Sequence, residues 1–190
     1  GRHAFVEKLK ELALDFAESE INNLFAKFKV LADKKNEVTD ADIRALIAGT
    51  TVENPEGFRF DDLQLTTNDD QTITADVQLV NGDGETVTCV AEGKGSVEAI
   101  FNAIDQFFNQ SVQLLSYNIE AVTDGIDSQA RVLVAVENTD TDTIFNSSGI
   151  DFDVLKASAI AYIHANTFIQ KENAGEIGRR VSYHDLPASE

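Results

Sequence analysis

Apolar positions along this chain change near residue 57 from helical spacing to alternation. Phe5, Leu9, Leu12 and Phe16 fall at helical spacing, and Ile21, Leu24, Phe25, Phe28 and Leu31 form a second, stronger stripe. Thr39-Asp40-Ala41-Asp42 has the form of an N-cap with an acidic first turn, predicting a third helix through Ile43, Leu46 and Ile47. Three short helices make a poor core by themselves. Residues 1–50 are therefore expected to be a small helical connecting subdomain that packs on another body, either the rest of a longer protein or a second chain.

A linker follows from Gly49 to Gly57, with Pro55 inside it. Phe58 and Phe60 alternate, and Leu63 and Leu65 resume after a one-residue slip that predicts a bulge. Ile73, Ala75, Val77 and Leu79 read as a strand, Asn81-Gly82-Asp83-Gly84 as a hairpin turn, and Val87, Cys89 and Ala91 as the returning strand. Gly93-Lys94-Gly95 breaks that strand, and Ser96 is the expected cap of a helix carrying Val97, Ile100, Phe101, Ile104, Phe107 and Phe108. The pattern then recurs. Leu115, Tyr117, Ile119 and Ala121 alternate, then Ala130, Val132, Val134 and Val136, then a short strand with Thr143 and Phe145, which Ser148-Gly149 is expected to break. Val154, Leu155, Ser158, Ala161, Tyr162 and Ala165 lie along a second helix.

Matching Ala75-Asp76-Val77 to Ala130-Arg131-Val132, and Gly95 to Gly149, gives an offset of about 55 residues. The expected fold is α+β: two pseudo-symmetric βββα units, about 57–110 and 111–170, form one layered domain over 56–170. Residues 171–190 read as a polar tail.

Composition narrows the function classes. The 190 residues carry a formal net charge of −18 and no Lys/Arg cluster, which argues against nucleic acid and against anionic membranes. No apolar run reaches membrane-spanning length and no signal peptide opens the chain, so a cytoplasmic protein is expected. Cys89 is the sole cysteine, so no intrachain disulfide can form, and its strand position predicts a buried, inert thiol. No Met occurs and the first residue is Gly1, inside Gly1-Arg2-His3-Ala4-Phe5, so a piece of a longer protein is expected.

Candidate chemistry is sparse. Gly93-Lys94-Gly95-Ser96-Val97-Glu98 matches a dinucleotide fingerprint at two glycines but puts Glu98 where a small residue is needed, after a hairpin strand rather than a parallel one. A tight strand-to-helix turn is the simpler reading. A small-molecule site at the helix N-terminus is the other, since backbone N–H groups there hold carboxylates. Asp151-Phe152-Asp153 reads as helix capping before metal ligation. His3, His164 and His184 have no partners at metal-ligand spacing, so no metal site is expected. The chemistry points to a binding or assembly module.

Four segments, in order, resemble the 2-isopropylmalate synthase family. Gly1-Arg2-His3-Ala4-Phe5 is similar to the stretch that leaves that family's catalytic barrel. Phe25 to Lys35, with Val38-Thr39-Asp40, is similar to its helical connecting subdomain. Gly93 to Ala99 and Gly149 to Ser158 are similar to the two marker turns of its regulatory domain, although the second turn has Ser147-Ser148 where the family carries more glycine. The resemblance implies a leucine-sensing, dimerising C-terminal region of an enzyme that condenses acetyl-CoA with 2-oxoisovalerate. It implies no cofactor in this chain, the divalent metal belonging to the barrel. It further implies a leucine pocket near a homodimer interface, drawing on Gly95, Val97, Glu98, Leu114, Tyr117, Ala121, Ile150 and Asp153. In that pocket the helix N-termini after Gly95 and Gly149 hold a carboxylate, and Glu98 or Asp153 meets the ammonium. His3 is either a residue that reaches the neighbouring subunit's active site or a structural histidine. Three rivals stay open: the isoleucine-sensing domain of the sister family, citramalate synthase; a dimerisation module with no ligand; and, third, a nucleotide-binding enzyme.

Overall fold

The fold is described from a computed structural model over residues 1–34, 37–48, 52–121 and 128–177. His184 and most of the expected tail lie outside the described residues. Three helices open the chain: α1 (Arg2–Glu11), α2 (Glu18–Lys34) and α3 (Asp40–Ala48). They are followed by β1 (Arg59–Thr67), β2 (Ile73–Val80), β3 (Thr86–Gly93) and α4 (Ser96–Phe108), then β4 (Val112–Ala121), β5 (Ala130–Asn138), β6 (Thr143–Asp151) and α5 (Val154–Asn173). The two three-strand-plus-helix units expected from the repeat are therefore present, as two antiparallel sheets of order β1-β2-β3 and β4-β5-β6.

Both edge strands β1 and β4 are bulged at the same place in the unit. The register slips between Phe60 and Asp62, as the alternation predicted, and again between Leu114 and Ser116. The second slip turns Leu115 to the face opposite Tyr117. Leu115 packs with the helical segment, while Tyr117 packs with the main core.

That main core joins the units. Ala75, Val77 and Leu79 from β2 and Val132, Val134 and Val136 from β5 are all fully buried in one cluster with α4 and α5. The helix α5 touches β5 and β6 on one side and β1 and α4 on others. The helices thus form a layer between the sheets, which is why α5 buries residues on almost every side.

Several expectations about local detail are overturned. Leu12 is the C-cap of α1 and Ala13 takes a left-handed φ of +56°, so Phe16 lies beyond the helix rather than on its stripe. Gly95, not Ser96, is the N-cap of α4, and it gives no side-chain cap. Ser148-Gly149 does not break a short strand. β6 runs through it to Asp151, and Asp153 caps α5. The unit-to-unit match therefore pairs Gly95 with Asp153, and Ala75 with Val132. Gly149 instead does the work of Gly93. A Cβ on Gly93 would lie 2.4 Å from Ala99 N, and one on Gly149 would lie 2.2 Å from Ala157 O. Each glycine lets the fourth residue of the following helix sit against its own sheet.

The helical segment packs on this chain's own sheet, which buries the first part of its stripe and leaves Phe25, Phe28 and Leu31 half-buried. Phe5, Leu9, Leu14, Phe16, Ile21, Leu24, Ile43 and Ile47 form a second cluster with Ile144 of β6, and Leu115 of β4 packs against it. The connector at 52–54 then runs beside β6, with Val52 bridged to Asn146 and Glu53 N–H donating to Asn146 O at 3.0 Å. Sheet β4-β5-β6 is covered on both faces, which explains why Val132 to Val136 are buried without alternation. The helix α5 extends to Asn173, into the segment read as tail.

Candidate functional site

The helices α4 and α5 run side by side in the same direction. Phe101 stacks on Tyr162 with ring centroids 4.0 Å apart, Tyr162 Oη donates to Asp105 at 2.6 Å, and Gln110 Nε2 donates to Asn166 O at 2.7 Å. Contacts that advance together along both helices place their N-termini at one end of the layer. Six of the eight predicted pocket residues lie toward that end. Gly95 caps α4, and Val97 and Glu98 are in its first turn. Asp153 caps α5. Ala121 pairs with Ala130, which pairs with Asp151 beside the α5 start. Tyr117 lies one helical turn deeper, between the helices, donating to or accepting from Ser158 Oγ at 2.7 Å and meeting Phe101 edge-on at 5.9 Å.

The other two sit apart. Leu114 is at the far end of β4, roughly 20 Å from Ala121 at strand rise. There it shares a cleft of about 340 Å³ with Leu12, Ala13 and Asp142. Ile150 pairs with Arg131 on the face away from α5 and is 44% exposed. His3 is an exposed residue of α1.

The two helix starts differ electrostatically. Asp153 accepts a hydrogen bond from Leu155 N–H at 2.8 Å, and Asp151 accepts from Asp153 N–H at 2.8 Å, so α5 is capped by its own chain. Gly95 has extended backbone (φ −142°, ψ 173°) and no side chain, so the first N–H groups of α4 have no side-chain cap. Beside these starts, a cleft of about 270 Å³ is lined by Ile119, Ala121, Ala130 and Phe152, with Glu120, Ser128 and Gln129 at its polar edge. Ile119 and Phe152 are 55% and 68% exposed, which is unusual for large apolar side chains so near one another.

Below the helix starts the site is closed by a hydrogen-bonded aromatic plug. Phe101 and Ser158 contact Tyr117, and Tyr162 stacks on Phe101 and donates to Asp105; sequence reasoning left Phe101, Ser158 and Tyr162 among the helix stripes and passed over Asp105. One signal was available: Asp105 stands one turn after Phe101 on the same helix, within reach of whatever packs beside that ring. Partial burial raises the Asp105 carboxyl above its ordinary value, the bond from Tyr162 opposing the shift. Burial, with the Asp105 bond, raises the Tyr162 hydroxyl as well, so it stays a neutral donor. Cys89 is the inert thiol expected from its strand position. Desolvation, helped by Asp76, pushes it up to about 11.

Among the described residues no group of three or more His, Cys, Asp or Glu side chains is placed to hold a metal ion. No helix among them is long and apolar enough to cross a membrane.

This architecture matches a known family model, the LeuA allosteric (dimerisation) domain, over residues 37–169. The chain is also similar to 2-isopropylmalate synthases from several bacteria. It is 71% identical over 189 residues to that of Streptococcus gallolyticus (strain UCN34), covering 100% of this chain and 36% of that protein. It is 52% identical over 185 residues to that of Lactococcus lactis subsp. lactis (strain IL1403), covering 97% and 35%. It is 43% identical over 176 residues to that of Brevibacillus brevis, covering 93% and 34%. The chain thus spans about a third of the length of these relatives. With two βββα units, paired helix starts and a match across most of its length, the chain belongs to the LeuA allosteric (dimerisation) domain family.

Proposed function

We propose that this chain is the regulatory part of a 2-isopropylmalate synthase, which senses leucine and lowers the rate of the acetyl-CoA and 2-oxoisovalerate condensation. The observation that carries the reading is the pair of helix starts beside an apolar shelf. The uncapped N–H groups after Gly95 offer a cradle for a carboxylate. Asp153, with one oxygen on Leu155 N–H, keeps the other for an ammonium group, and Glu98 is exposed nearby for the same role. Val97, Tyr117, Ala121 and the shelf of Ile119 and Phe152 suit an aliphatic side chain, whose full burial contributes about 1.5–3 kcal/mol. The 2-isopropylmalate synthase names of the relatives favour leucine over isoleucine as effector.

The effector acts in a homodimer. The family's name supports this, and so does surface that one chain leaves open: Leu114, Ile119, Ile150 and Phe152 are all more than a third exposed. Leu114 and Ile150 then serve the second chain. The divalent metal of the condensation belongs to a catalytic domain beyond this chain, and His3, exposed on α1, is the residue that would reach the neighbouring subunit's active site.

Calorimetric titration of the chain with leucine, isoleucine and valine, with its mass measured in solution, tests the reading. A dimer that binds leucine most tightly, and whose Tyr117→Ala variant binds it at least about tenfold more weakly (~1.4 kcal/mol), is the expected result. If none of the three amino acids gives a binding heat or raises the Tm, the site is a dimerisation surface only.

A further inference from the structure

The face of β4-β5-β6 that carries the helical segment contains a buried polar row with no hydrogen-bond partners. Ser116, Ala135 and Asn146 are direct cross-strand neighbours on β4, β5 and β6. Ser116 Oγ and both side-chain polar atoms of Asn146 are shielded from solvent and unpartnered among the described residues. Asn146 is only 2% exposed. Native folds seldom leave such groups unsatisfied, because they lose water and gain nothing.

The rows on either side contrast with this one. Toward α1, Ile144 and Leu115 make ordinary apolar contact with the helical cluster. On the other side, Ser148 is fully engaged: its N–H donates to Asn54 Oδ1 at 2.9 Å, its Oγ accepts from Asn54 Nδ2 at 3.1 Å, and its carbonyl meets His164 Nδ1 at 2.8 Å. Together with the Glu53–Asn146 backbone bond, these contacts latch the connector to β6. The seam is thus pinned at both ends, by this latch and by the backbone bridge between Asp15 and Thr143, and holds the unpartnered polar groups in its middle.

We propose that this row is a built-in release joint: α1–α3 lift from the sheet about the 52–54 latch, and water then satisfies Ser116 and Asn146. The closed arrangement is held by the apolar contacts of Ile144 and Leu115 and by the Asp15–Thr143 bridge, which opens in the lift, and it is opposed by the unpartnered row; the release joint requires these to balance closely enough that both arrangements are populated. The joint is in contact with the other face of the sheet. Tyr117 and Ser147, which follow Ser116 and Asn146, point toward α5, and a change in strand position on that side is felt through the pleat. The joint itself stands on the unpartnered row and not on the identity of any effector.

Double electron–electron resonance between spin labels at Lys29→Cys and Glu120→Cys, with native Cys89 buried, reads the seam directly. Two distance populations are expected in this background, collapsing to the shorter one when Ser116→Ala and Asn146→Leu are added. Hydrogen exchange in α3 should slow by about tenfold or more in the double variant while exchange in α5 is unchanged. A single narrow distance population in the labelled parent chain overturns the proposal, and so do two populations that the double variant leaves unaltered. If the double variant does not fold, the parent distance distribution decides alone.

Discussion

Glycines that look alike in sequence have opposite tolerances here. Gly95 has open space where a Cβ would stand, and its φ of −142° suits any residue. Gly149 has a backbone oxygen there. Gly95→Ala is therefore expected to leave the Tm nearly unchanged and to alter only what the α4 start can bind. Gly149→Ala should destabilise by about 3 kcal/mol through overpacking against α5, measured by urea unfolding. Sequence reading equated the two because both precede a helix, and spacing carries no information on how closely a strand approaches its helix. His164 supplies a pH test. Burial lowers its proton affinity in the fold below the ordinary value of 6.5. The unfolded chain therefore takes up the proton first. The stability from the neutral ring is complete above that value and is lost as the pH falls below it. Arg59 and Glu56, of opposite charge, line the same cleft as the ring, and the hydrogen bond with Ser148 O opposes the shift without cancelling it. The fall in Tm between about pH 7 and pH 5 should be shallower in His164→Gln than in the parent.

At the level of elements, the two helix starts are finished differently. Asp153 caps α5 through Leu155 N–H, so Asp153→Ala should cost about 1 kcal/mol of stability even without ligand. An equal loss of stability with no change in leucine titration would assign it to capping alone. The helices and the β1 bulge follow from features a sequence displays. The β1 bulge was visible as a slip in alternation, because both flanking apolar pairs face the core. The β4 bulge was hidden, because Leu115 is apolar yet faces the helical segment and so counterfeits the alternation of Tyr117 and Ile119. The length of β6 was hidden for a related reason. Ser147, Ser148 and Gly149 are weak strand formers, and they stay in the ladder because β5 pairs them and α5 needs the glycine.

In the molecule as a whole, the two sheets are not equivalent. The outer side of β1-β2-β3 carries polar and half-exposed residues such as Gln64, Gln78 and Thr88, whereas the outer side of β4-β5-β6 is buried under α1–α3. Deleting residues 1–51 uncovers Ile144 and Leu115, and the truncated chain is expected to self-associate beyond the parent's mass, measurable by light scattering. What the sequence determined by itself is the periodic content: which residues are helical or extended, that the strand-helix unit occurs twice, and that acids and glycines gather at the helix starts. Apolar period and turn chemistry are local properties, and they act over a few residues. What only the tertiary structure decided is which surfaces meet. It set the helical segment on its own sheet, brought Tyr117 between two helices, and separated Leu114 and Ile150 from the end of the helix layer toward which the other six candidate residues lie. Those outcomes depend on packing between residues far apart in the chain, where many partners are equally apolar and only shape selects among them.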